Sequence, residues 1–261
     1  MEVKACIFTD AGKVRKKNQD AALIKVANTK RHGRISFVAV CDGMGGLSKG
    51  EVASCKAIRS LENWFGEELP LMQNMDEDEL WNTAEKSLRR LLARCSSEIF
   101  RYGKHRGISL GTTVTAFLQI GMRYMTLNIG DSRIYAVDRR EATRLTKDQS
   151  VVQDKIEKGI ITQEESGSDP QRNVLLQCLG AGKGAVADVT RGELPRSGMT
   201  VIACSDGFWR TISEGEIHEK LCPQMCVSPK DMLWECRKLS ELAMSRNEED
   251  NISVAAVCLE Y

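Results

Sequence analysis

The sequence predicts an α+β fold, with helices and antiparallel strands in separate stretches of chain. Residues 111–118, 123–129 and 133–137 alternate apolar and polar side chains across hairpin-length breaks, which implies an antiparallel sheet. Residues 48–65 and 76–102 instead repeat apolar side chains at helical spacing. No repeat, linker or low-complexity tract interrupts the chain, and at 261 residues with 42% hydrophobic composition it can bury a full core.

In chain order, residues 3–8 and 21–27 read as strands. Their connector, DAGKVRKKNQD, carries Arg15, Lys16 and Lys17 and ends on Asn18, Gln19 and Asp20. A cation and a carboxylate in one short loop suit a site that holds both an anion and a cation, although a plain polar hairpin has the same composition. The apolar run 35–41 reads as a buried strand that stops at Asp42, where Gly43, Gly45 and Gly46 clear side chains from around the carboxylate. Val52, Ala53, Ala57, Ile58, Leu61 and Phe65 define the helix 48–65. The helix 76–102 is carried by Leu80, Ala84, Leu88, Leu91, Leu92, Cys95 and Ile99, with Arg89, Arg90 and Arg94 as its wet face.

After the strands comes a second strand-end carboxylate, in Gly130-Asp131-Ser132-Arg133. Residues 147–179 break into short helical pieces and turns and read as a surface lobe. The strand 199–204 closes on Ser205-Asp206-Gly207. Helices follow at 213–221 and 229–244, the second with Pro in its first turn and Leu233, Cys236, Leu239, Leu242 and Ala243 on one face. Asp250 then stands just before a last strand, 252–259.

A net charge of +1 gives no global attraction to nucleic acid or anionic membrane. No apolar run reaches the length of a membrane span, and the first residues lack a signal-type apolar region, so a cytoplasmic protein is expected. Its ten cysteines then read as reduced, mostly core thiols.

Asp20, Asp42, Asp131, Asp206 and Asp250 all sit at strand boundaries, three of them beside Gly. One such Asp is an ordinary turn former, but five suggest strand ends converging on an acidic cleft. Like charges gathered there repel by several kcal/mol and need cations. Oxygen-only donors, with no His adjacent, favour hard ions such as Mg²⁺ or Mn²⁺ over Zn²⁺. A paired-metal acidic site suits displacement at phosphorus, so phosphate-ester hydrolysis is the natural inference.

The ordered set G-x-V-R-x-x-N-Q-D (from Gly12 to Asp20), D-G-M-G-G (from Asp42), G-T-T (from Gly111), G-D-S-R (from Gly130), L-T-K-D (from Leu145), S-D-G (from Ser205) and D-N-I-S (from Asp250) resembles the metal-dependent type 2C protein serine/threonine phosphatases, most of all their compact bacterial branch. The resemblance implies one catalytic domain over residues 1–261. It also implies an αββα sandwich of two packed antiparallel sheets flanked by helices, with 147–179 as a flap beside the active site. Asp42, Asp206 and Asp250 fall on the principal metal ligands, Gly43 on a backbone-carbonyl ligand, and Asp20 on a holder of metal-bound water. Arg15 falls on the phosphate-gripping arginine, and Asp131 on a ligand of a third, weaker metal site. The implied reaction is direct hydrolysis of phosphoserine and phosphothreonine by a hydroxide bridging two Mn²⁺ or Mg²⁺ ions, without a phospho-enzyme. The implied partners are phosphorylated proteins, a cognate serine/threonine kinase among them, with the enzyme a monomer.

Four residues depart from the pattern: Met44 stands where some members have His, Gln19 where an acid is common, and Gln149 and Asp169 occupy flap positions often held by His. Rival readings are weaker. The segment from Cys204 to Thr211 matches the C-x5-R-[ST] spacing of cysteine-dependent phosphatases, but Asp206 would point a negative charge into that anion loop. His218, Cys222 and Cys226 share zinc-like spacing, but Pro223 interrupts it. The four tryptophans read as packing. A catalytically dead binding relative should have lost a metal carboxylate, and all five are present.

Overall fold

The computed structural model describes residues 3–44, 49–182, 184–195 and 198–260. In chain order, the first half contains β1 (Lys4–Asp10), β2 (Ala21–Thr29), β3 (Gly33–Cys41), β4 (Gly43–Met44), α1 (Gly50–Asn63), α2 (Glu77–Arg106), β5 (Gly111–Thr112), β6 (Val114–Ile120) and β7 (Arg123–Ile129). The second contains β8 (Arg133–Val137), β9 (Ala142–Arg144), α3 (Val151–Glu157), α4 (Gln163–Ser166), β10 (Asp188–Glu193), β11 (Met199–Cys204), α5 (Asp206–Trp209), α6 (Glu214–Leu221), α7 (Pro229–Ser245) and β12 (Ile252–Leu259). Gly45, Gly46 and the expected helix start at 48 lie outside the described residues.

Two five-stranded antiparallel sheets result, ordered β1-β12-β11-β8-β9 and β10-β7-β6-β3-β2. Alternation along the strands explains why they stack. On β3, Phe37, Ala39 and Cys41 face α1 and α2, while Val38 and Val40 face the other sheet. On β12, Val254 and Ala256 pack under α6 and α7, while Ala255 and Val257 meet β3 and β6 residues between the sheets. Both central strands are therefore buried on both faces, and the order of layers is helix, sheet, sheet, helix, as expected.

Most elements fall where the sequence places them, with differences of a residue or two at the ends, while α2 runs four residues past the expected end at 102. Asp76 caps α2 by accepting from the Glu79 N–H at 2.8 Å, and Lys104, His105 and Arg106 complement the helix dipole at its far end. Four expectations change. The single strand 111–118 is two, β5 and β6, broken at Thr113. Strands β9 and β10 appear in stretches without a strand pattern. Leu233 is exposed, and Met232 takes its place in the core face of α7. Arg89 is half-buried on α2, where it donates to the Ala187 carbonyl at 2.7 Å.

Among the described residues, no helix is long and apolar enough to cross a membrane. All ten cysteines are free thiols, and seven are buried.

Candidate active site

Antiparallel register brings the strand-end carboxylates to one rim of the sandwich. In one sheet, Ala21 pairs with Cys41, so Asp20 and Asp42 are neighbours, and Val114 pairs with Ile129, close to Asp131. In the other, Asp10 pairs with Ile252, and Cys204 lies between Val254 and Arg133. Asp206 and Asp250 therefore reach the same rim from the opposite layer.

Each carboxylate is held by its backbone. The Asp42 N–H donates to Thr113 Oγ1 at 2.9 Å, and its carbonyl accepts from the Thr113 N–H and from Thr112 Oγ1, each at 2.9 Å. This explains the G-T-T motif and the break between β5 and β6. Gly43 runs so close to its neighbours that a Cβ would sit 2.4 Å from the carbonyl oxygens of both Gln19 and Gly50. At Gly207 a Cβ would lie 2.2 Å from the Asn251 carbonyl, so only glycine lets α5 begin there. Asn251 pins the loop that carries Arg15: its Nδ2 donates to the carbonyls of Ala11 and Lys17, each at 3.0 Å, and its Oδ1 accepts from the Gln19 N–H at 2.8 Å.

The rim is electrostatically costly. Burial, followed by repulsion from Asp20, Asp206, Asp131 and Asp250, pushes the Asp42 carboxyl well above the usual carboxylate range. Burial likewise raises Asp20 to about 7, although the Ser253 and Ser205 hydroxyls oppose the shift; Ser205 Oγ donates to Asp20 Oδ2 at 2.8 Å. Asp131 is raised to about 8, by burial first and then by Asp206 and Asp148. Asp206 is raised by burial against the pull of Arg210, and its carboxyl lies within hydrogen-bonding reach of Asp42.

Two guanidinium groups answer this charge. Arg15 grips Asp250 with both arms, Nε to Oδ1 at 3.1 Å and Nη2 to Oδ2 at 2.9 Å. Arg210 forms an ion pair with Asp206. Among the described residues, no three His, Cys, Asp or Glu side chains are gathered tightly enough to hold an ion as they stand. The donor set nevertheless fits hard divalent ions. It is all oxygen, and Asp20 Oδ1 and Asp206 Oδ1 are buried acceptors with no hydrogen-bond partner.

The flap is rooted beside Asp131. The Gly130 N–H donates to Gln149 Oε1 at 3.0 Å, while the Gln149 N–H returns a bond to the Gly130 carbonyl at 2.8 Å. Asp169 pairs with Lys155 at 2.7 Å inside the lobe. Arg133 binds Asp148 through Nε and Nη2, the latter at 2.6 Å, and lies over the Trp209 ring, whose Nε1–H donates to the Asp131 carbonyl at 3.0 Å. Gln19, in turn, spends its side chain on Glu51 at 3.3 Å.

The rival sites do not form. Cys204 is fully buried and faces the Arg133 carbonyl, and burial pushes its thiol up, away from the thiolate that a nucleophile needs. Cys226 is likewise buried against Thr200 and the Leu221 carbonyl, as a core thiol would be. Sequence reasoning did not pick out Arg210, Ser205, Thr113 or Asn251 as individual partners. The signal for Arg210 is its spacing four residues after Asp206, one helical turn.

The protein phosphatase 2C family model matches residues 12–231. The chain is 32% identical over 252 residues to the serine/threonine phosphatase Stp of Listeria monocytogenes, an alignment covering 95% of this chain and 93% of that one. Its fold matches the serine/threonine phosphatase Stp1 of Staphylococcus aureus with a TM-score of 0.83 at 27% identity, covering 100% of this chain and 96% of that one. It also matches the catalytic domain of the serine/threonine phosphatase PstP in complex with 2 manganese ions, with a TM-score of 0.75 at 27% identity over 99% of each chain. With matching sequence and architecture, and its carboxylates gathered at one rim, the chain belongs to the protein phosphatase 2C family.

Proposed function

We infer that this protein is a metal-dependent protein phosphatase that hydrolyses phosphoserine and phosphothreonine in proteins. The observation that carries this reading is the convergence of five strand-end aspartates, two with orphaned buried oxygens, beside an exposed arginine. Asp42, Asp206 and Asp250, with the Gly43 carbonyl, would hold two Mn²⁺ or Mg²⁺ ions, and Asp20 would fix water at them. When bound, such ions supply Lewis acidity at the phosphate and acidify a water molecule for in-line attack.

The chain's own residues do the remaining work. Arg15 sits at the rim with its side chain 53% exposed, so its planar fork can pass from Asp250 to two phosphate oxygens of a substrate. Ser205 and Asn251 hold Asp20 and the Arg15 loop in register, so substrate meets a preformed site. Met44 offers no proton, so the leaving alkoxide would take its proton from water or another group.

The enzyme would act as one catalytic domain and as a monomer in the cytoplasm, where free thiols persist. It would reverse a serine/threonine kinase, whose own phosphorylated loop is among the expected substrates. Single-turnover hydrolysis of a phosphothreonine peptide in ¹⁸O-water tests the mechanism. One ¹⁸O enters the released phosphate by direct or by phospho-enzyme hydrolysis, so the deciding result is that rapid quench finds no phosphate on the protein, with full rate after thiol alkylation; a trapped phospho-enzyme, or loss of rate on alkylation, would contradict it.

A further inference from the structure

We propose that Arg210 is a built-in third cation of this site, standing by Asp206 and Asp131 where a third divalent ion would otherwise bind, so that the protein works with two. The inference rests on the two-metal reading above but concerns the number of ions, not the reaction.

Arg210 closes α5 one turn after Asp206, so helical geometry lays its guanidinium over that carboxylate. Its Nη1 lies 3.5 Å from Glu248 Oε1, and its Nη2 lies 3.5 Å from Asn173 Oδ1 on the flap. Glu248 is itself fixed: the same oxygen accepts the N–H groups of Glu249 and Asp250, each at 3.0 Å. The guanidinium is therefore docked between the metal-side carboxylates and the flap.

Asp131 lies on the same side. Trp209, the residue just before Arg210, donates its indole N–H to the Asp131 carbonyl at 3.0 Å. Charge balance supports the same conclusion. Two divalent ions together with Arg15 and Arg210 already neutralise the five aspartates to within one charge. A third ion would have to share a low-dielectric space with a guanidinium, which repels it strongly.

The test is to count ions on metal-stripped protein, by calorimetric titration with Mn²⁺ and by elemental analysis at saturation. Wild type and Asp131→Asn should both take two, Arg210→Lys should take two, and Arg210→Gln should take a third, weaker ion. Three ions in the wild type falling to two in Asp131→Asn would overturn the proposal, as would two ions in Arg210→Gln. The Asp131→Asn comparison decides the number of ions even if Arg210→Gln fails to fold. Phosphothreonine hydrolysis on the same samples separates this inference from the reading it rests on. The expected counts without any hydrolysis would contradict the phosphatase assignment and leave the role of Arg210 standing.

Discussion

Asp206 shows how much one residue carries. It begins α5, pairs with Arg210, approaches Asp42 and keeps one buried oxygen without a partner. Asp206→Asn keeps the shape and removes the charge, so kcat should fall by about 100-fold or more while circular dichroism stays unchanged. Near-normal turnover would remove Asp206 from the ligand set. Arg15 should behave differently, because it meets substrate and not the ions. Losing its charged hydrogen bonds, worth about 1.5–3 kcal/mol, should lower kcat/KM for a phosphopeptide by about 10- to 100-fold in Arg15→Ala while leaving Mn²⁺ affinity near wild type. The aspartates were legible in the sequence because each sits at the boundary of a strand pattern, whereas Arg15 lies inside the connector between β1 and β2 and its role followed from the family resemblance. Arg210 was not legible, because its partner is set by one turn of a four-residue helix, and its spacing from Cys204 pointed toward a thiol site instead.

At the level of elements, β8 and the flap root are joined by a buried ion pair, with the Arg133 side chain 11% and the Asp148 side chain 6% exposed. Among the described residues, Arg133→Met would leave the buried Asp148 with only Arg144, 3.6 Å away, to balance it. A loss of about 3–5 kcal/mol is expected, read as a lower urea midpoint, since removing one partner of a buried pair strands the other. An unchanged midpoint would show that the pair contributes nothing net. The missed elements have physical reasons. Strand β10, DVTRGE, is an edge strand with most of its side chains in water, so it shows no apolar alternation. Strand β9 is three residues long. The split between β5 and β6 comes from Thr112 and Thr113 turning to hold the Asp42 backbone, a tertiary demand that no local pattern displays. The long helices and central strands were legible because both of their periodicities feed a core.

Across the whole molecule, the site is a concentration of negative charge that the two sheets force together. Asp20 at about 7 and Asp131 at about 8 bind protons more tightly in the folded chain than at their ordinary value of 3.8. Between about pH 4 and pH 8 the folded state therefore carries more protons, and the stability of metal-free protein should fall as pH rises through that window. The melting temperature of metal-stripped protein should be lower at pH 8 than at pH 5.5, and saturating Mn²⁺ should raise it more at pH 8. A melting temperature that rises with pH in the absence of metal would contradict this electrostatic picture. The most direct test of the account is hydrolysis of a phosphothreonine peptide by metal-stripped protein, with and without Mn²⁺ or Mg²⁺ restored. No turnover in chelator and full turnover on adding the ion is the result predicted; turnover that persists in chelator would contradict it.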